Sequence, residues 1–278
     1  MTPDRRLTLR SETAAALGLE GAITADRYVE PTPMRVAAAA APLRRQPEDG
    51  AEQESLLLLG ERFEVLEQRD GYALGQATRD GYVGWVRSEA LARWTTAPTH
   101  WVRVLRTYGF VRPNIKSPPV GLYSLNALVT VEAVEGKFAR TAEAGFITAD
   151  HLAPIGLGYG IDPAAVAETF LGAPYLWGGR ESLGLDCSAL VQNALMACGQ
   201  ACPRDTDMQA GLGEAVDPAE LQRGDLVFWK GHVAMMLDGQ RMIHANAFHM
   251  AVAIEPLAEA IRRIDAAGSG PPTAYRRP

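Results

Sequence analysis

Upstream of Pro154 the apolar residues of this chain alternate at every second position in short runs, and downstream of it they recur at helical spacing. The short apolar runs of the first set are Leu56 to Leu59, Phe63-Glu64-Val65-Leu66, Tyr72-Ala73-Leu74 and Tyr82-Val83-Gly84-Trp85-Val86, punctuated by Gly60, Asp70-Gly71 and Asp80-Gly81. Turn signals about every ten residues between such runs predict a small antiparallel barrel or sandwich over residues 34–96. A second set, with Val102 to Leu105, Ala127 to Val131, Lys137 to Ala139 and Phe146-Ile147 in the same roles, predicts another over residues 97–154. The two sets align directly, Asp70-Gly71-Tyr72-Ala73 onto Glu135-Gly136 through Ala139 and Gly81-Tyr82-Val83 onto Gly145-Phe146-Ile147, as a degenerate tandem repeat. Residues 1–33, with prolines at 31 and 33, are set apart as an N-terminal arm.

Beyond Pro154 the pattern predicts an α+β domain over residues 155–278. Asp162 followed by Pro163 reads as an N-cap and first-turn proline, with Val166, Phe170 and Leu171 as the apolar face of a short helix ending at Gly172. After the loop Pro174 to Gly179, the residues Leu190, Val191, Ala194 and Leu195 recur at helical spacing, which puts Cys187 in the first turn of a helix. Strand-like runs follow at Leu226 to Trp229, His232 to Leu237, Arg241 to Ala245 and Ala251 to Ile254, then a short helix from Pro256 and a last strand at Thr273 to Arg276.

A thiol at a helix N-terminus faces unpaired N–H groups and the positive end of the dipole, which predicts a lowered pKa and a nucleophile at Cys187. His232 opens the next-but-one strand and is the expected base, and His244, on the following strand, is the expected orienting residue. If the loop between those strands takes three residues, Asp238 to Gln240, Ala234 lies opposite His244, and His232 and His244 share a face. A two-residue turn without a bulge separates them. Cys198 and Cys202 lack a comparable setting and read as ordinary buried or half-buried thiols.

Composition narrows the function. Net charge is −6 and no basic run exceeds a pair such as Arg44-Arg45 or Arg262-Arg263, so a nucleic-acid partner is not expected. The weakly charged stretches Val36 to Leu43 and Cys187 to Pro203 are too short or too interrupted to span a bilayer, so no membrane partner is expected either. The first twenty-five residues lack the apolar core of a secretion signal, which points to a cytoplasmic protein. Three cysteines within sixteen residues show no zinc-site spacing, and neither metal nor cofactor is expected.

Pro174-Tyr175-Leu176-Trp177-Gly178-Gly179, Leu185-Asp186-Cys187-Ser188-Ala189-Leu190, Arg223-Gly224-Asp225-Leu226, Gly231-His232-Val233-Ala234 and Met242-Ile243-His244-Ala245, in that order, closely resemble the NlpC-type papain-like cysteine peptidases that cleave bacterial cell-wall peptides. Ala189 stands where that family usually has Gly. The resemblance implies a multidomain chain: two small all-β Src-homology-three-like barrels followed by an α+β papain-like catalytic domain. It also implies Cys187 as nucleophile, His232 as base and His244 as orienting residue, with the Cys187 N–H and the Tyr175 hydroxyl holding the oxyanion.

Two barrels ahead of such a domain resemble the cytoplasmic γ-D-glutamyl-L-diamino-acid endopeptidases that recycle murein peptides. That subgroup's Arg-Asp-Ser motif stands here as Arg204-Asp205-Thr206. The resemblance implies that Asp205, with Thr206 beside it, binds the free α-amine of an N-terminal L-Ala, so the expected partner is a murein tripeptide or tetrapeptide. Asp186 and Ser188 are expected beside the substrate, Asp186 also as a helix cap. Glu52 and Tyr82 of the first barrel are the expected site-closing residues, with Glu54 and Trp85 as the alternatives. Competing expectations are a papain-like acyltransferase or amidase, against which the order Cys187 before His232 argues, and a non-catalytic cell-wall-peptide binder.

Overall fold

The computed structural model describes residues 3–278 and divides into two compact units, one ending at Leu157 and one spanning Gly158–Pro278. In the first, seven strands between Thr32 and Arg93 form one sheet. Its hairpin joining Arg62–Arg69 to Tyr72–Ala77 turns on Asp70 and Gly71, both at positive φ (52° and 80°), the geometry that matches the twist of the flanking strands. The second set folds into a three-stranded sheet and a five-stranded sheet between His100 and Pro154. Its strands Val131–Glu135, Phe138–Thr141 and Gly145–Thr148, the 3₁₀ turn Ala149–His151 and the strand Leu152–Pro154 repeat the order of Arg62–Arg69, Tyr72–Ala77, Val83–Arg87, Ser88–Ala90 and Leu91–Arg93.

The run Leu56 to Leu59 is buried throughout because both sides of its strand are covered. Leu57 packs with Val36, Leu43, Phe63 and Val86 in the first set's core, whereas Leu56, Leu58 and Leu59 pack with Val102, Tyr123, Val129 and Ile147 of the second. At the junction the Leu128 N–H donates to the Leu59 carbonyl (2.8 Å), and Arg35 pairs with Glu143 at 2.9 Å. Gly60 there sits at φ 78°, and a Cβ on it would lie 2.1 Å from the Leu128 oxygen. The segment set apart as an arm is built into this unit. Leu9 and Ala14 bury against Leu66, Tyr72, Leu74, Val83 and Trp85, and the Val83 N–H donates to the Arg6 carbonyl (2.7 Å).

In the second unit, helix α1 (Pro163–Glu168) is capped by the Asp162 carboxylate, which accepts from the N–H groups of Ala164 (3.0 Å) and Ala165 (3.2 Å). Its buried face is Ala164, Ala167 and Phe170, while Leu171, expected on it, is 56% exposed. Helix α2 (Cys187–Ala197) is buried almost all round, its polar Gln192 and Asn193 donating to the carbonyls of Cys202 (3.1 Å) and Arg180 (3.0 Å). A single turn, α3 (Thr206–Gln209), follows.

Six antiparallel strands then lie in the order Glu214–Ala215, Ala274–Arg277, Leu226–Trp229, His232–Met236, Arg241–Asn246 and Ala251–Pro256. Val227, Trp229, Ala234, Met236 and Met242 alternate onto the face covered by Ala260 and Ile264 of α4 (Leu257–Ala266). Met235 pairs with Ile243, Met236 with Met242, and the Leu237 N–H donates to the Arg241 carbonyl (2.8 Å), so the loop between these strands is the three residues Asp238 to Gln240. The Asp238 carboxylate holds that loop by accepting from the Gln240 and Arg241 N–H groups, both at 2.8 Å. Among the described residues no helix is long and apolar enough to cross a membrane.

Candidate active site

Cys187 is the first residue of α2, and its thiol is fixed by what holds the helix end. Asp186 is the N-cap. Its Oδ1 accepts from the Ala189 N–H (2.9 Å) and the Ser188 hydroxyl (3.1 Å), and its Oδ2 from the Gly178 N–H (2.9 Å). The Arg204 guanidinium closes the arrangement as a fork, Nη1 3.0 Å from Oδ1 and Nη2 2.6 Å from Oδ2, with Nη1 also 2.8 Å from the Ser188 oxygen. Asp186, Ser188 and Arg204 are all buried. Gly178 reaches Asp186 from a left-handed conformation (φ 71°), and beside it a Cβ on Gly179 would lie 2.4 Å from the Gly184 oxygen. Asp186 caps the helix as expected, and its oxygens and that of Ser188 are engaged by the helix end and the guanidinium.

The Val233 N–H reaches the Cys187 sulfur, which sets the thiol beside the start of the His232 strand. On the other side the Thr206 Oγ1 is 3.9 Å from Sγ. His232 and His244 lie as the three-residue loop requires, His232 Nε2 standing 2.8 Å from His244 Nδ1 with the rings tilted by 62°. His232 Nδ1 is the ring nitrogen that His244 does not engage. Beyond His244 the chain of contacts continues to a residue with no signal in the sequence: Glu255 Oε1 is 2.8 Å from His244 Nε2, off the ring's N–H axis, and is ion-paired to Arg263 of α4. Arg263 in turn lies over the Phe248 ring, 4.3 Å from its centroid.

Burial dominates the electrostatics. It pushes the Cys187 thiol up to about 11, helped by the charge of Asp186 and opposed by the Val233 N–H and the Thr206 hydroxyl. Burial, the neighbouring His244 and Arg263 bring His232 down to about 3. The expected lowering of the thiol is thus reversed in the resting chain, and thiol and imidazole are both neutral at pH 7. Glu255 is held down at about 2: burial raises it, but His244 and Arg263 more than offset that.

Tyr175 is half-buried, its phenol pushed up by burial and then by the nearby Cys187 and Asp186 charges. Asp205 is half-buried at the N-cap position of α3, where its side chain makes no capping bond. The second unit thus carries Tyr175, Asp186, Cys187, Ser188, Asp205, Thr206, His232 and His244. Glu52 and Tyr82 belong to the first unit. There Glu52 is exposed and pairs with Arg45 at 3.6 Å, and Tyr82, 3% exposed, sits in the core with Val36, Leu57 and Phe63. Of their alternatives, Glu54 pairs with Arg5 and Trp85 lies under Arg69. Among the described residues, ligand atoms of His244, His249 and Glu255 come within 4.8 Å of one another, but the Arg263 guanidinium already neutralises that carboxylate.

Residues 172–264 match the NlpC/P60 family and residues 43–91 match the bacterial dipeptidyl-peptidase Sh3 domain. A γ-D-glutamyl-L-lysine dipeptidyl-peptidase of Bacillus subtilis is 29% identical over 196 residues, covering 65% of this chain and 66% of the relative. The Bacillus cereus protein of that name is 40% identical over 98 residues, 32% of this chain and 29% of the relative, so the chain spans only part of these relatives' lengths. A crystal structure of an NlpC/P60 family protein from Bacillus cereus superposes with a TM-score of 0.74 over 88% of this chain and 99% of that one, at 21% identity, which is a likeness of fold. The chain carries a bacterial dipeptidyl-peptidase Sh3 domain followed by a domain of the NlpC/P60 peptidase family.

Proposed function

We propose that the chain is a cysteine endopeptidase that hydrolyses the γ-D-glutamyl-L-diamino-acid bond of murein peptides bearing a free N-terminal L-Ala. The observation that carries the reading is the Cys187 thiol at the start of α2, beside the Val233 N–H, with the His232–His244 pair opening from that strand. The names of the Bacillus relatives support the bond, and their L-lysine makes lysine an alternative to diaminopimelate as the diamino acid.

Because thiol and imidazole are neutral at rest, the first step is general-base catalysis. His232 Nδ1 takes the proton from Sγ as the sulfur attacks the γ-glutamyl carbonyl. The oxyanion faces the Cys187 N–H at the helix terminus, with the Tyr175 hydroxyl as second donor. Collapse breaks the C–N bond, His232 returns its proton to the leaving amine, and a thioester remains. His232 then takes a proton from water as its oxygen attacks that thioester, and gives it to the departing sulfur. Asp205 provides the anion for the peptide's ammonium group, and its neighbour Thr206 lies 3.9 Å from the sulfur. That requirement selects released peptides over intact wall stems, whose amine is blocked, and it is the ground for placing the protein in the cytoplasm, in murein recycling. Residues 97–154 serve in this reading as a second Src-homology-three-like barrel.

The test is mass spectrometry of L-Ala-γ-D-Glu-diaminopimelate and L-Ala-γ-D-Glu-L-Lys incubated with the protein, beside the same peptides acetylated at the N-terminus. Release of the diamino acid from the free peptides alone is expected. Equal cleavage of free and acetylated peptides removes Asp205 from its role, and no cleavage of any of them removes the substrate assignment.

A further inference from the structure

We propose that Glu255, held by Arg263, is a positioning residue that selects the tautomer of His244 and through it the orientation of His232. The proposal deepens the cysteine-peptidase reading and rests on it. His244 is fully buried, and each of its ring nitrogens meets one partner: Nδ1 faces His232 Nε2 and Nε2 faces the Glu255 carboxylate, both at 2.8 Å. A carboxylate anion 2.8 Å from an unprotonated ring nitrogen would place negative charge beside that nitrogen's own partial negative charge, whereas an N–H there carries positive charge toward it, so the proton belongs on Nε2 even though the carboxylate lies off the N–H axis. Nδ1 is then a bare acceptor. His232 must therefore donate from Nε2, which leaves its Nδ1 unprotonated and free to take the proton from Cys187.

The whole proton arrangement follows from one carboxylate being an anion. Arg263 keeps it so: its guanidinium pairs with the same Oε1 and is braced on the Phe248 ring. The groups that face His244 are His232 from the preceding strand, Glu255 from the following strand, Arg263 from α4 and His249 from the loop after its own strand, ring centroids 6.2 Å apart. His249 spends its Nδ1 on the Asn246 side-chain oxygen at 3.0 Å. Glu255 alone among them supplies a negative charge. Replacing it with Gln offers His244 Nε2 either an oxygen or an amide N–H, and the second choice drives the proton to Nδ1, against His232.

The experiment uses the full chain labelled with ¹⁵N-histidine, with two-bond ¹H–¹⁵N correlation spectra assigned by the signals that vanish in His244→Gln. In the wild type, His244 protonated on Nε2 is expected; protonation on Nδ1 overturns the proposal without any variant having to fold. In Glu255→Gln a second tautomer of His244 should appear, with kcat on the cleaved tripeptide down at least about tenfold, a fraction of the ~10²–10⁴ that positioned proton transfer supplies, and KM within about twofold. A variant that keeps a single Nε2–H tautomer and wild-type kcat overturns the proposal. If the wild type cleaves no tripeptide, the substrate reading fails, while the tautomer measurement still decides the part played by Glu255.

Discussion

At Cys187 a helix terminus and burial act on one thiol in opposite directions. A helix terminus stabilises a nearby anion by up to ~2 kcal/mol in partly buried geometries. At 1.36 kcal/mol per pKa unit that is about one and a half units, less than is needed to bring a thiol from about 11 to neutrality. Burial outweighs the helix terminus, so the Cys187 thiol stays protonated at neutral pH. Iodoacetamide labelling of Cys187, followed by mass spectrometry, should accordingly quicken as pH rises through 8 and 9 and keep rising toward about 11. A rate that is already flat below pH 7 would mean a preformed thiolate–imidazolium pair and would refute the neutral resting state. The positions of Cys187, His232 and His244 were legible because strand alternation and one loop length decide which side chains share a face. Glu255 was not, since nothing in Ile254-Glu255-Pro256 distinguishes a half-buried, ion-paired acid from an ordinary strand-edge one; only the pairing of Met242 with Glu255 brings it to His244.

At the scale of the element, α2 begins where it does because Asp186 is both its cap and one half of a buried ion pair. Removing Arg204 leaves the carboxylate buried without its cation, which costs about 3–5 kcal/mol when one partner of such a pair is lost. Arg204→Met should therefore lower the urea midpoint of the second unit and slow alkylation of Cys187 together, whereas loss of stability alone would show that the cap does not seat the thiol. Helix and strand positions were read well from periodicity and caps. The misreading of Leu171 has a simple cause: α1 stops at Glu168, so a residue three further on no longer follows the helical face and turns to solvent.

Across the whole molecule, the two β segments were legible as a repeat, because glycine-marked turns recur in both, but not as partners. The run Leu56 to Leu59 is too continuous for a strand with one wet face, and that was the available sign that something covers its other side. Leu58, buried between the sets, is the place to test it: Leu58→Ala should cost about 2–5 kcal/mol and speed hydrogen exchange in Phe138–Thr141 as well as in Tyr72–Ala77. Faster exchange confined to the first sheet would show two independent folding units. A core contributed jointly by both sets also bears on descent by recombination. A crossover near residue 97 would split a hydrophobic interior in two, so shuffling that yields viable progeny must pass the tandem pair on together, as one heritable cassette.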